Sequence, residues 1–292
     1  MANTTAQTKT SLLANESRLL IMKCKLCGSN KFDNIYEVEE RVIQKCIKCG
    51  LVRTEPGELP DYRAYYRDLD YRKYEPRFKN IFQKRFDQIN KYKEQGGRVL
   101  EIGCSTGLLL EIFKKNGWET WGVEPSGSYK IAQKRIGKVI HKNFETADLP
   151  AKYFDAAILN HVFEHLADPV LVLKKIKTIL KPGGIVYIDV PNFGSLARKI
   201  EQQHWSMFLP HEHVHHFDPV SLNKVVKKAG LETVYEKTSS GVFDVASPVK
   251  YYLTPIQEKN LSFIKNALDL PGNLISTVLN MGTNLTLVAQ KT

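Results

Sequence analysis

Between Arg98 and Ala289, short apolar runs alternate with stretches whose apolar residues recur three and four apart. Arg98–Ile102, Glu119–Glu124, Lys138–His141, Phe154–Asn160, Gly184–Val190, Leu231–Thr238 and Leu285–Ala289 read as strands. Leu108–Lys115, a stretch capped by Ser126 and running to Ile136, Pro169–Leu180 and Pro219–Ala229 read as helices, the third closed by Lys181-Pro182-Gly183-Gly184. Strands separated by helices cannot pair as hairpins, so the pattern predicts an α/β fold: a mostly parallel seven-stranded sheet covered on both faces. An apolar content of 42% supplies the core this requires. One further helix is expected from Arg72, with Phe78, Ile81, Phe82, Phe86 and Ile89 on one face and Gly96-Gly97 at its end. Residues 241–283 carry no clear period and read as an insertion before the last strand.

Four of the five cysteines lie ahead of this region, as Cys24-Lys25-Leu26-Cys27 and Cys46-Ile47-Lys48-Cys49-Gly50. Paired C-x-x-C knuckles let two tight turns bring four thiolates around one Zn²⁺ at about 2.3 Å. With all four positions filled by protein, such a site is closed and structural. The expected organisation is a flexible tail over 1–22, a zinc ribbon over 23–58, connector and lid helices over 59–96, and the α/β domain over 97–292. Tyr62, Tyr65, Tyr66, Tyr71 and Tyr74, interleaved with Arg63, Arg67, Arg72 and Arg77, are expected to form a lid that receives an anionic acceptor.

The first strand of the α/β region runs into Glu101-Ile102-Gly103-Cys104-Ser105-Thr106-Gly107. An acid ahead of a glycine turn suits a cationic ligand and repels a pyrophosphate, and the turn lacks the G-x-G-x-x-G spacing of dinucleotide sites. Trp121-Gly122-Val123-Glu124-Pro125 ends the next strand with a second acid, placed to take the hydroxyls of a ribose. Asn143 and Phe144 follow the third strand, where an amide and a ring can meet a base. These residues, with VLEIGCSTG, WGVEPS, FDAAILNHVFEHLADP, LKPGGIVYIDVPN and HHFDPVSLNKVVKKAGLE, make residues 72–292 resemble class I S-adenosylmethionine-dependent methyltransferases. The resemblance implies a Rossmann-like seven-stranded sheet that binds S-adenosyl-L-methionine through Glu101, Gly103, Cys104, Gly107, Glu124, Pro125, Asn143, Phe144 and Asn160. With the ribbon in front, the chain resembles zinc-ribbon methyltransferases of glycan and secondary-metabolite pathways, an implied acceptor being a hydroxyl or carbon of a sugar, quinone or secondary metabolite.

Methyl transfer needs alignment and, for a hydroxyl acceptor, a base. The candidates are His161 after the fourth strand, and His211 and His213 in the loop His204–His216. His161, Glu164 and His165 resemble the E-x-x-E-H metal patch of ubiquinone-pathway O-methyltransferases, with His161 in place of the first glutamate. His211-Glu212-His213-Val214-His215 has the letters of a zinc-protease helix, but Pro210 and Asp218-Pro219 leave it about two turns, so that chemistry is not expected.

The net charge of +11 is spread along the chain without a basic block, so a small-molecule acceptor is expected and a nucleic-acid partner is not. The competing reading is an rRNA or tRNA methyltransferase that uses the ribbon to hold RNA. Against it, Ile158-Leu159-Asn160-His161 stands where such enzymes carry an N-P-P-[YF] type loop. A catalytically silent binding module is the third reading. Neither a membrane span nor a signal core is legible, and a cytoplasmic protein is expected.

Overall fold

The computed structural model describes residues 23–55, 61–62, 73–93, 96–257 and 261–292. The expected tail over 1–22, the tyrosines Tyr65, Tyr66 and Tyr71 and the arginines Arg63, Arg67 and Arg72 lie outside the described residues.

The chain begins with a hairpin, β1 (Phe32–Val38) and β2 (Arg41–Cys46), and a short third strand, β3 (Val52–Thr54). Helix α1 (Glu75–Asn90) follows, with Phe82, Phe86 and Ile89 buried at the expected helical spacing. The alternating region then runs β4 (Arg98–Ile102), α2 (Leu108–Lys115), β5 (Glu119–Val123), α3 (Tyr129–Ile136), β6 (Lys138–Ile140), β7 (Phe154–Asn160), α4 (Pro169–Ile179) and β8 (Leu180–Pro191). After it come α5 (Leu196–Glu201), β9 (His215–His216), α6 (Pro219–Lys228), β10 (Glu232–Ser239), α7 (Pro248–Gln257), α8 (Ser262–Leu268), α9 (Leu270–Val278) and β11 (Asn284–Gln290).

Seven strands form one sheet in the order β10-β11-β8-β7-β4-β5-β6. β8, β7, β4, β5 and β6 are mutually parallel; β11 runs antiparallel beside β8, and the edge strand β10, antiparallel to β11, runs in the common direction again. Both faces are covered, which is why the strands read as continuous apolar runs. Val99, Ala156 and Tyr187 join a core with Phe86, Leu110 and Phe113, while Leu100, Leu159 and Ile188 join the opposite core with Leu173, Ile176 and Val225.

Helix starts were partly legible. Asp168 accepts from the Leu171 amide to cap α4, and Asp218 with Ser221 forms a capping box on α6. Ser126 does not cap α3; Ser128 holds that position, and the amide of Ser126 is taken instead by Glu124 at 2.8 Å. Leu180 opens β8 rather than ending α4, because Lys181–Gly184 extends that strand. Among the described residues of 241–283 are a short 3₁₀ turn and the helices α7, α8 and α9.

The cysteine region is joined to the sheet domain. β9 adds to the edge of β3, giving a four-stranded sheet in the order β1-β2-β3-β9. Cys24, Leu26, Cys46 and Leu51 are buried in the same apolar cluster as Val225 and Val226 of α6. From that helix Lys224 donates to the Cys49 carbonyl at 2.9 Å and Lys228 to the Leu26 carbonyl. Among the described residues no helix is long and apolar enough to cross a membrane.

Candidate active site

A cavity of about 920 Å³ opens above the C-terminal ends of β4, β5, β6 and β7, where open α/β sheets bind ligands. Its two halves have different chemistry.

One half is built by the turns after β4, β5 and β6. Gly103 turns the chain at φ 69°, and a Cβ there would stand 2.6 Å from Val162, so a larger residue would meet the wall of the cavity. Glu124 is 6% exposed and accepts from the Ser105 amide at 2.7 Å and the Ser126 amide at 2.8 Å. These two donors fix a carboxylate at the cavity edge with lone pairs to spare. Glu101 is 4% exposed, and its Oε2 has no hydrogen-bond partner among the described residues. Burial, and then the charge of Glu124, push its carboxyl well above the usual carboxylate range. A buried acid in that state fits a ligand that brings an ammonium group, which restores the ionised form.

Pro125, Asn143, Phe144 and Asn160 also line the cavity. Asn160 leaves Oδ1 buried without a partner among the described residues. Cys104 and Gly107 are not walls of it. The Cys104 thiol is buried against Gly122, where a Cβ would lie 2.5 Å from its sulfur, and Gly107 opens α2 against Ala132. Glu101 is likewise not a wall; it precedes the wall residue Ile102 on β4 and pairs with Gly122 of β5. Sequence reasoning missed Lys175 of α4, which donates to the carbonyls of Phe144, Glu145 and Ala147 at 2.7, 3.0 and 2.8 Å and so holds the loop after β6. Only the folded chain brings that lysine to the loop.

The other half is lined by His161, Glu164, His165, Glu212 and His213. His161 stands at φ 52°, a left-handed conformation that places its side chain, 44% exposed, after the end of β7. Its Nδ1 is 3.5 Å from Glu164 Oε1, long for a hydrogen bond and close for an ion pair. Desolvation lowers the His161 pKa, but the Glu164 carboxylate outweighs it and raises the imidazole above its ordinary value. Burial works to raise the Glu164 pKa, and the surrounding His161, His165 and His213 overcome it, holding the carboxyl at about 2. His213 is 5% exposed, and burial lowers its pKa to about 4.

His211 is placed elsewhere. Its side chain is 62% exposed, faces Glu39 at 3.7 Å and does not line the cavity. The five-residue protease-like pattern is no helix either: it is a turn that leads into β9, with His215 buried on the side of the Ala167 carbonyl. Of the expected lid, Tyr62 and Tyr74 line the cavity, and Tyr62 bonds His165 Nδ1 at 3.1 Å. Arg85 of α1 and Asp244 also reach the wall, joined at 2.8 Å, and nothing in the local sequence marks either.

Away from the cavity, the four thiols are gathered as expected. Cys24 and Cys49 approach to 3.5 Å, as do Cys27 and Cys46, and all four sulfurs lie within 4.8 Å of one another. A tetrahedron with metal–sulfur distances of about 2.3 Å has edges of about 3.8 Å, so the cluster fits a zinc ion.

A seven-stranded sheet in which only β11, next to the edge strand β10, runs against the others, acids at the ends of β4 and β5, and a cavity above them define the Rossmann-like class I methyltransferase fold. The chain belongs to the methyltransferase-domain family, whose model matches residues 71–236. A ubiquinone biosynthesis O-methyltransferase of Cereibacter sphaeroides is 32% identical over 156 residues, which cover 49% of this chain and 63% of that protein. The match therefore spans less than two thirds of that relative's length. Among solved structures, a SAM-dependent methyltransferase from Archaeoglobus fulgidus superposes with a TM-score of 0.54 at 22% identity, covering 77% of this chain and all of that one (100%). The 1,6-didemethyltoxoflavin-N1-methyltransferase of Burkholderia thailandensis, solved with its substrate and S-adenosylhomocysteine, gives 0.50 at 14% identity over 89% of this chain and 99% of the other. These likenesses concern the fold.

Proposed function

We propose that this chain transfers the methyl group of S-adenosyl-L-methionine to a small-molecule acceptor, at a hydroxyl or carbon of a sugar, quinone or secondary metabolite. The observation that carries the reading is the pair of buried acids. Glu101, whose Oε2 has no hydrogen-bond partner among the described residues, suits the ammonium of the cofactor's amino-acid end, while Glu124, one strand away, is pinned to take its ribose hydroxyls. Asn143 and Phe144 would flank the adenine, Gly103 and Pro125 would meet the ligand through the backbone, and Asn160 would face the reacting end. Cys104 and Gly107 support the turn from behind.

The volume of the cavity is near the upper end of the range for small-molecule sites, room enough for cofactor and acceptor together. The name of the Cereibacter sphaeroides relative, an O-methyltransferase, supports transfer to oxygen. His161, the more exposed imidazole of the cavity, is assigned as the acceptor-side base, and buried His213 as an orienting group; His211, facing Glu39, takes no part in this assignment. Cys24, Cys27, Cys46 and Cys49 are assigned one structural zinc ion.

The test is purified full-length protein with methyl-labelled cofactor, offered metabolite pools and RNA side by side. Label should enter the small-molecule fraction. Label in RNA alone, or binding of NAD in place of the cofactor, would refute the reading.

A further inference from the structure

Of the seventeen large apolar side chains that are exposed among the described residues, eleven lie between Val249 and Leu279. On α9, Leu270, Leu274 and Val278 recur four apart, which places them on one stripe, and all three are exposed. The opposite side of α9 is polar and turned inward. Ser276 is buried and donates to Ser240 Oγ at 3.2 Å, and Thr277 Oγ1 accepts from the Ser240 amide at 3.2 Å. On α8, Ile264 and Leu268 are exposed, while Asn266 donates to the Tyr251 carbonyl at 3.4 Å and Ser262 accepts from Arg77 at 3.2 Å. On α7, Leu253 and Ile256 are exposed. Among the described residues α7 buries Pro255, α9 buries Ser276 and α8 buries none.

A helix on a globular protein normally buries its apolar stripe and shows its polar face. Helices of ten, seven and nine residues have little stability of their own in water and draw it from what their apolar faces meet. Here the stripes are left outward, and clustered exposed apolar residues mark contact with another apolar phase.

Composition and charge decide which phase. The cores of protein–protein interfaces favour aromatic, Met and Arg anchors. Residues 248–279 contain no Arg, Trp or Met, and the aromatic residues Tyr251, Tyr252 and Phe263 are half-buried. Leu, Ile and Val without such anchors suit lipid hydrocarbon. Each helix is too short to span a bilayer, and its inward side is held by the protein, so the three can only lie flat on one. Lys250 and Lys265 are exposed on α7 and α8 against the exposed Asp269, and the chain carries a net charge of +11. That charge attracts anionic lipid and opposes a second copy that bears the same charge.

We propose that α7, α8 and α9 seat this protein on a membrane surface that contains anionic lipid, with their aliphatic stripes at the acyl boundary and Lys250 and Lys265 toward the headgroups. The cavity is mechanically tied to this surface. Asn80 of α1 bonds the amide and the carbonyl of Ser247, just ahead of α7, at 2.8 and 2.9 Å, and Phe78, Ile81 and Phe82 of α1 line the cavity. The inference stands on the exposed stripes and does not depend on the methyl-transfer reading, so the two can fail separately.

The test is co-sedimentation of full-length protein with vesicles of phosphatidylcholine, and with vesicles of phosphatidylcholine mixed with phosphatidylglycerol. The mixed vesicles should bind it more tightly. Added salt should weaken that binding without abolishing it, because burial of aliphatic side chains is not screened. Leu268→Ser, Leu274→Ser and Val278→Ser combined, all at exposed positions, should weaken binding by roughly tenfold to a hundredfold with an unchanged far-ultraviolet circular dichroism spectrum. Lys250→Gln with Lys265→Gln should weaken binding to the mixed vesicles by roughly tenfold and leave that to phosphatidylcholine nearly unchanged. Wild-type protein that stays in the supernatant with both vesicles overturns the proposal, whatever the variants do, and so does equal affinity for the two. Unchanged binding of the triple serine variant overturns it as well, since the charge of the chain would then act alone. A vesicle-free dimer that the serine substitutions dissociate overturns it by giving the face to a second copy.

Discussion

Glu101 and Glu124 are both nearly buried, yet they are held in opposite ways. Glu124 is fixed by two backbone amides, and Glu101 has an oxygen with no partner among the described residues. Their substitutions should differ accordingly. Glu124→Ala should cost about 1–3 kcal/mol of cofactor affinity, the scale of a lost hydrogen bond to a charged group, read by calorimetry. For Glu101 the sign of the pH dependence is the sharper test. Burial raises its carboxyl pKa in the free protein, and a bound ammonium would lower it. Binding should then release a proton, and affinity for S-adenosylhomocysteine should rise with pH until the free carboxyl is ionised. Glu101→Gln should abolish this proton release, measured in buffers of different ionisation enthalpy. The same raised pKa means that the folded, ligand-free chain binds more protons than the unfolded chain. Its stability should fall as pH climbs from the ordinary carboxylate range through the raised value, less steeply in Glu101→Gln. On the acceptor side, His161→Gln should slow methyl transfer by about a hundredfold or more and leave cofactor affinity nearly unchanged, if it supplies base catalysis.

At the scale of elements, the join between β3 and β9 carries the most consequence. Thr54 is 3% exposed, and its hydroxyl donates to the His213 carbonyl at 2.6 Å and lies 3.0 Å from His216 Nε2. The Thr54 amide bonds the Val214 carbonyl at 3.0 Å, and the Val214 amide bonds the Glu164 carbonyl at 2.9 Å. One short strand thus connects the cysteine region to both sides of the acceptor half of the cavity. Thr54→Val keeps the shape and removes the hydroxyl, so it should cost about 1–3 kcal/mol in chemical denaturation, the price of leaving a buried acceptor unsatisfied. Chelation of the zinc ion proposed for the four cysteines should raise amide hydrogen exchange in residues 209–217 as well as in 24–54. Exchange confined to 24–54 would show that the join transmits nothing. In the sequence 23–58 reads as a module of its own, because a two-residue strand such as β9 leaves no periodic trace.

At the scale of the whole molecule, Arg85 links three parts of the chain. From α1 it reaches Asp189 of β8 at 2.5 Å and Asp244, beyond β10, at 2.8 Å, and it is 1% exposed. Asn284 and Thr286 of β11 complete the partners of Asp189. Burial opposes the charge on Arg85, and the two carboxylates outweigh it and raise its pKa. Arg85→Met would strand those carboxylates in the interior, and a loss of about 3–5 kcal/mol is expected in equilibrium unfolding, since breaking a buried pair leaves an uncompensated charge. A loss near zero would mean that water reaches Asp189 once the guanidinium is gone.

The order of the seven sheet strands and of the helices α2, α3, α4 and α6 among them, the two acids at adjacent strand ends and the four-cysteine cluster were determined by the sequence. Each is a local property: a period of apolar residues, a residue at a fixed step from a strand end, or a pair of knuckles with fixed spacing. What the tertiary structure decided is which distant residues meet. Five histidines crowd His204–His216, and their spacing does not tell that His213 faces Glu164 while His211 faces Glu39. Lys175 under the loop after β6, Arg85 between two aspartates and Thr54 against His213 are equally silent in the chain. Their partners lie 28, 159 and 159 residues away for Lys175 with Ala147, Arg85 with Asp244, and Thr54 with His213. A side chain's neighbours at that separation are set by how the elements pack, and local patterning carries no information about it.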